Sequence, residues 1–146
     1  MKKLITLSML FIAFGAYAQK IDASKVPAAV KASFAKAYPG ATAKWENEEG
    51  KFEAEFKVNG KEASAVFDAN GTMEESEIEI KSSELPAPAL AYVKEHYKGK
   101  SIKEATKITK KEGAITFEAE VDGKDVIFDA MGKFIKEIKI EKEDKD

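Results

Sequence analysis

Carboxylates set on alternate positions are the residues of this chain with the clearest chemical potential. Glu53 and Glu55, followed by Lys57, alternate with Phe52, Ala54, Phe56 and Val58. Glu77 and Glu79 alternate with Ile78 and Ile80, and Glu118 and Glu120 with Phe117, Ala119 and Val121. Successive side chains of a strand point to opposite faces, so this period of two collects the acids on one sheet face and the apolar residues on the other. Such a face is either solvated or attracts a cation or a basic partner. Catalysis by two carboxylates needs a pocket around them, and nothing in the pattern supplies one. Trp45 stands on a less regular strand. It is a core residue, or, if it faces outward, an anchor of the kind that aromatic residues provide at interfaces. The candidate recognition residues are therefore Trp45, Glu53, Glu55, Lys57, Glu77, Glu79, Glu118 and Glu120.

Other chemistries find less support. His96 is the single histidine. Its neighbour Glu95 points elsewhere on a helix, so a helix-end role is expected, where the dipole favours a cation. Asp68-x-Asn70-Gly71 resembles the opening of a calcium loop, and the twelfth position is Glu79. A strand pattern runs between them, however, and the corresponding later segment has Met131 in place of Asn70. A tight turn, with Asp capping it and Gly at positive φ, is the stronger reading. The chain has no Cys, which excludes disulfides, thiolate catalysis and zinc–cysteine sites. It has no Arg either, and Arg is the residue suited to phosphate and guanine contacts. With net acidity, that argues against nucleic-acid binding. No catalytic residue, metal site or cofactor is expected, and the chain is not expected to be an enzyme.

The first 18 residues have the pattern of an export signal. Lys2-Lys3 is followed by the apolar run Leu4 to Phe14 and then by Ala16-Tyr17-Ala18 before Gln19. The run is short for a membrane span, which takes about 20 residues, so no stable anchor is expected after cleavage near Ala18. The expected location is periplasmic or secreted. Removing Lys2 and Lys3 leaves 22 Lys against 26 Asp and Glu, a net charge of −4. A chain of this remaining length suits one compact domain.

The elements that must carry the acids recur. Val26-Pro27-Ala28-Ala29 returns as Leu85-Pro86-Ala87-Pro88, Tyr38-Pro39-Gly40 as Tyr97-Lys98-Gly99, and Phe67-Asp68-Ala69-Asn70-Gly71 as Phe128-Asp129-Ala130-Met131-Gly132. Val26, Val30, Phe34 and Tyr38 form one apolar stripe at helical spacing, and Leu85, Ala89, Val93 and Tyr97 form another. Pro27 suits a first helical turn. Strands follow each helix: Ala41–Glu48, one around Phe52–Val58, one ending at Phe67 and Glu74–Ile80. In the second copy they are Ile102–Lys110, one around Ile115–Val121, one ending at Phe128 and a last one ending near Ile140. Asn59-Gly60 and Asp122-Gly123 are hairpin dipeptides. The prediction is an α+β protein of two tandem helix–four-strand antiparallel repeats, 19–80 and 81–146, forming a sheet with helices on one face. Gln19–Lys25 is expected to be a leader and Lys81–Glu84 a linker. The charged tail 141–146 is expected to fray. Phe52, Phe56, Phe67, Phe117, Phe128 and Phe134 are the expected core.

These landmarks carry a resemblance. Val26-Pro27-x-x-Val30, Phe34-x-x-x-Tyr38-Pro39-Gly40, Gly60-Lys61 and Phe67-Asp68-x-x-Gly71, with Leu85-Pro86, Tyr97-x-Gly99, Gly123-Lys124 and Phe128-Asp129-x-x-Gly132, resemble the PepSY-like families of secreted bacterial proteins. More narrowly, they resemble the β-lactamase-inhibitor-like (BLIP-like) PepSY-like domain. The resemblance implies helix-plus-sheet units and a binding or inhibitory role outside the cytoplasm. A face of Glu and Lys differs from the aromatic and Arg anchors usual in tight inhibitory interfaces. The expected function is that of an exported, non-enzymatic binding module. It would recognise a protein or peptide of the cell envelope through the open sheet face or a sheet edge. The alternative is a periplasmic protein that binds a small ligand or cation on the acidic face.

Overall fold

The computed structural model describes residues 19–140. The proposed signal segment and the charged tail lie outside them. One nine-stranded antiparallel sheet runs in sequence order, each strand hydrogen-bonded to the next. Its strands are β1 (Gln19–Ile21), β2 (Lys44–Glu48), β3 (Lys51–Val58), β4 (Lys61–Phe67), β5 (Met73–Ile80), β6 (Ile102–Lys110), β7 (Ile115–Val121), β8 (Lys124–Asp129) and β9 (Phe134–Lys139). Helix α1 (Ala28–Ala37) lies in sequence between β1 and β2, and α2 (Ala87–His96) between β5 and β6. Each helix is thus followed by four strands.

Both helices cover the same face. Residues directly opposed across antiparallel strands share a face, and the pairs Ala63–Ile78, Ile78–Lys107, Lys107–Phe117 and Phe117–Phe128 carry that face from β4 to β8. Val26, Val30 and Phe34 pack with Trp45, Ala54, Phe56, Ala63, Ala65 and Phe67. Leu85, Ala89, Val93 and Tyr97 pack with Ala105, Ala119, Val121, Val126 and Phe128. The alanines of the sheet leave room for the helices, and the larger side chains fill the remaining space. Phe67 and Phe128 are fully buried. Phe56 is buried too, while Phe52, Phe117 and Phe134 are half-buried against the same clusters. Aromatic contact is dense under α1, where the ring of Phe34 lies 5.0 Å from Phe56 and 5.4 Å from Trp45, both edge-on.

Local details recur at matching positions. Pro27 and Pro86 sit at the N-caps of the two helices with nearly equal backbone angles. The pairing of β4 with β5 slips between Val66 and Phe67, and that of β8 with β9 between Ile127 and Phe128. Just before each slip's partner strand, an Asp closes a turn. Asp68 Oδ1 accepts from the backbone N–H of Asn70 and Thr72, each at 2.9 Å. Asp129 Oδ1 accepts from Met131 and Lys133, also at 2.9 Å. Gly71, at φ +85°, ends the first turn so close to α1 that a Cβ there would lie 2.6 Å from the Ala29 carbonyl oxygen. The turn's form and its docking onto the helix thus both require glycine.

One expectation of a connecting segment needs correction. Gln19–Ile21 is an edge strand paired with β2, with Ile21 opposite Trp45. Three residues are too few to show a period, so the strand was invisible until its partner was placed. Ala23–Lys25 and Ser82–Glu84 each form a 3-10 turn leading into a helix. In the second, Glu84 reaches back to accept from the Lys81 N–H at 2.7 Å.

Candidate functional site

The acids lie on the sheet face opposite the helices, in rows that the register defines. One row crosses the sheet as Glu55, Ser64, Glu77, Ile108 and Thr116. The next runs Glu79, Thr106, Glu118, Ile127 and Lys136. A third places Glu104 opposite Glu120 and Glu120 opposite Asp125. Towards β2, Glu46 stands opposite Glu53. Directly opposed side chains are about 4.5–5.5 Å apart at Cβ, and like charges so placed are destabilising. The third row therefore holds three acids in succession where sheet stability favours none.

The centre of this face is not the solvated platform that alternation predicts. Glu53, Glu77 and Glu118 are each 6% exposed, and Asp125 is 5% exposed. Ser64, Val66, Thr106, Ile108 and Ile127 are buried beside them. Glu55, Glu79 and Glu120 are half-buried, and only Lys57 of the predicted set on this face is fully open. The reason lies in the width of the sheet. Alternation assigns a face, but in the middle of nine twisted strands each long side chain has neighbours on both sides that shield it. Strands β4 and β8 accordingly show runs of consecutive buried residues, the mark of strands buried on both faces.

Burial changes the chemistry of these groups. Loss of hydration, reinforced by Asp125, Glu77 and Glu104, pushes the Glu118 carboxyl up to about 9. Glu53 rises to about 8 through burial and the nearby Glu55 and Glu77. Glu77 and Glu104 each rise to about 7 and Asp125 to about 6, burial being the leading cause in each. Glu55 is raised as well, first by burial and then by Glu46. One oxygen each of Glu53, Glu118 and Asp125 is buried with no hydrogen-bond partner. Among the described residues, Glu53, Glu77, Glu118 and Asp125 enter no ion pair, and the pairs on this face lie around them: Lys110 with Glu75 in the row of Glu53, Lys57–Glu62 at 2.8 Å, and Lys103–Glu120 at 3.9 Å at the margin of the acid row. Buried carboxyls are ordinarily paired or hydrogen-bonded. A set that is neither is costly to the fold and chemically available.

Trp45 does not belong to this face. It is buried opposite Ala54 and Ile21 and contacts Phe34, so it is a core residue and no partner anchor. Its position on the helix side follows from the parity of Ala54, a signal that the irregular sequence around it obscured. His96 ends α2 stacked on Tyr92, with Nδ1 3.0 Å from the Tyr92 carbonyl oxygen. The Asp68 carboxyl is occupied with its own turn, and those backbone N–H groups hold it below the usual carboxylate range. No three acids or histidines among the described residues converge as a metal site requires.

Two members of the acid cluster escaped the sequence reading, Glu104 and Asp125. Asp125 was legible, because Val126 and Phe128 face the helices and Asp125 must then face away. Glu104 was not, because the pairing of β6 with β7 slips between Ile102 and Glu104 and breaks the parity count.

A helix-covered antiparallel sheet with a carboxyl-rich opposite face defines a small α+β scaffold. The family described as "putative beta-lactamase-inhibitor-like, PepSY-like" matches it over residues 15–62 and 50–136, and the chain belongs to that family. Among solved structures, a BLIP-like protein from Bacteroides fragilis is similar at 26% identity, covering 82% of this chain and 91% of that one, with a TM-score of 0.63. A protein from Bacteroides eggerthii described as a putative periplasmic protein is similar at 16% identity and a TM-score of 0.72, covering 77% of this chain and 88% of that one. A DUF2874 family protein from Bacteroides uniformis is similar at 21% identity and a TM-score of 0.69 over the same shares. The last two likenesses concern the fold alone. No curated protein matches the chain. No described helix is long and apolar enough to cross a membrane.

Proposed function

We propose that this protein is an exported, non-enzymatic binding module that recognises a protein or peptide of the cell envelope through the sheet face opposite its helices. The observation that carries the reading is the set of buried, unpartnered carboxyl oxygens on that face, Glu53, Glu118 and Asp125. A fold retains such groups at a cost in stability, and retention of that kind is characteristic of function. Export is supported by the Lys2-Lys3, Leu4–Phe14 and Ala16-Tyr17-Ala18 pattern. Among the described residues, the free edges are β1 and β9. Both carry features that discourage pairing: β1 is three residues long, and β9 follows a register slip and bears Lys136 and Lys139. The face is therefore preferred to an edge. Family membership is compatible with an inhibitor-like role, and inhibition would be one consequence of binding.

The test is a pull-down from envelope extract, with the mature chain as bait and an acidic protein of matched charge as control. Specific recovery of one protein supports the reading, and recovery no better than the control defeats it. The second reading is a small ligand or cation held on the acidic face, favoured by the same unpartnered oxygens. A rise of the thermal midpoint in millimolar Ca²⁺ would support it, since a ligand of the folded state raises stability.

A further inference from the structure

The acids of the open face are distributed unevenly, and the distribution points to a particular ligand chemistry. Glu104, Glu120 and Asp125 form one row across β6, β7 and β8, each directly opposed to the next. Glu118 lies two residues from Glu120 on β7, within the field of Asp125, Glu77, Glu104 and Glu120. Glu118 Oε2 and Asp125 Oδ1 are buried without partners, on side chains more than nine-tenths buried. Directly opposite Glu118, on the same face, Ile127 is a buried aliphatic residue. The acids are spaced along the row at the strand separation, about 4.8 Å, and do not converge on one point as metal ligands do. A row of acceptors beside an aliphatic side chain complements a group that carries several donors on an aliphatic stem.

We infer that Glu104, Glu118, Glu120 and Asp125 form a subsite for a lysine ammonium of the recognised protein or peptide, its methylene stem lying along Ile127. The inference rests on the binding reading above and specifies its partner as a basic segment. A lysine offers three donors and one positive charge, which would relieve the repulsion within the row and, as the Glu118 and Asp125 side chains turn toward it, satisfy their orphaned oxygens. The charged groups that face the subsite are Glu62, Glu77, Glu79, Glu104, Glu118, Glu120 and Asp125, with Lys103 near Glu120 and Lys136 on β9 in the row of Glu118. Carboxyls that hold protons at pH 6 must lose them to take the ammonium, whereas lysine stays charged up to about pH 10. Affinity therefore rises as pH goes from 6 to 9.

The probe is a tri-lysine peptide, titrated calorimetrically against the mature chain, with its fully Nε-acetylated form as comparison. Acetylation, Glu118→Gln and Asp125→Asn are each expected to weaken binding by about tenfold or more, the scale of one charged hydrogen bond. The thermal midpoint of Glu118→Gln should not fall, and Glu95→Gln, which removes an exposed acid on α2, should change nothing. If Asp125→Asn fails to fold, Glu118→Gln decides. Equal binding of the acetylated peptide overturns the inference. So does undiminished binding by the folded variants, weakening by Glu95→Gln equal to that by Glu118→Gln, or affinity that falls between pH 6 and 9. Failure here is separable from failure of the binding reading. A captured envelope protein that both subsite variants retain would leave the face as a binding surface and remove the ammonium subsite. Tri-lysine binding with no envelope protein captured would do the reverse.

Discussion

The two faces of the sheet are both buried at their centres, yet by opposite chemistry. Under the helices, Ala54, Ala65, Phe67, Ala119, Val126 and Phe128 are closed off by α1 and α2, and burial there stabilises the fold through removal of apolar surface from water. On the other face, Glu53, Glu77, Glu118 and Asp125 are buried nearly as deeply, without ion pairs among the described residues, and Glu53, Glu118 and Asp125 each carry an orphaned oxygen. Burial is favourable on one face and costly on the other. One sheet can carry both because a hydrophobic face of this size tolerates a penalty of a few kcal/mol, at the expense of the protein's stability margin. The difference teaches that degree of burial alone does not identify a core, since the chemistry of the buried atoms decides its sign.

The contrast can be tested by substitution, beginning with the largest effect. Phe67→Ala and Phe128→Ala should each destabilise by about 3–5 kcal/mol in urea unfolding, as large truncations in packed cores do. A loss below about 1 kcal/mol would place those rings outside a packed core. Gly71→Ala should cost about 2 kcal/mol or more, combining left-handed strain with overlap on the Ala29 carbonyl. Its urea midpoint should fall with the m-value unchanged.

On the opposite face the sign reverses. Glu118→Gln should stabilise by roughly 1–3 kcal/mol at pH 8, because a neutral amide replaces a carboxyl whose ionisation the site resists. An isolated destabilisation at that pH would mean that Glu118 makes favourable contacts in the folded state. The same asymmetry predicts the pH profile. Carboxyls raised in the folded state contribute stability that is complete below their unfolded values and is lost as pH climbs through the folded ones. With Asp125 near 6, Glu77 and Glu104 near 7, Glu53 near 8 and Glu118 near 9, the thermal midpoint should fall steadily from about pH 5 to about pH 9. Asp22, Asp68, Glu84 and Glu137 are shifted down by their hydrogen bonds and act in the other direction, but only below about pH 4. A flat or rising profile between pH 5 and 9 would show that the acids of the open face are hydrated. At the small end, Lys57→Ala should leave the midpoint unchanged, because its pair with Glu62 is exposed.

Much of the fold was legible in the residues. The helical stripes Val26–Tyr38 and Leu85–Tyr97 and the alternation around Phe52–Val58 and Ile115–Val121 are local periodic signals, and a period of 3.6 or 2 survives without knowledge of neighbours. The Asp68 and Asp129 turns were readable for a similar reason, since Asp, Gly and their spacing define the turn within a few bonds. The candidate site was half legible. Alternation put Glu53, Glu55, Lys57, Glu77, Glu79, Glu118 and Glu120 on one face, but it described them as solvated. It left Trp45 between two roles and omitted Glu104 and Asp125.

What the amino acids determined by themselves was therefore the type of the two helices and of the longer strands, the face that the regularly alternating side chains take, and a pairing of apolar stripes with apolar strands. All of these follow from covalent geometry repeated over a few residues. Tertiary structure alone decided that β1 joins the sheet and that Trp45 lies beneath α1. It also decided that Glu104, Glu120 and Asp125 meet in one row, and that the acids near them lose their water. Register and enclosure depend on residues far apart in the chain, and a carboxyl's hydration is set by whatever the fold brings against it.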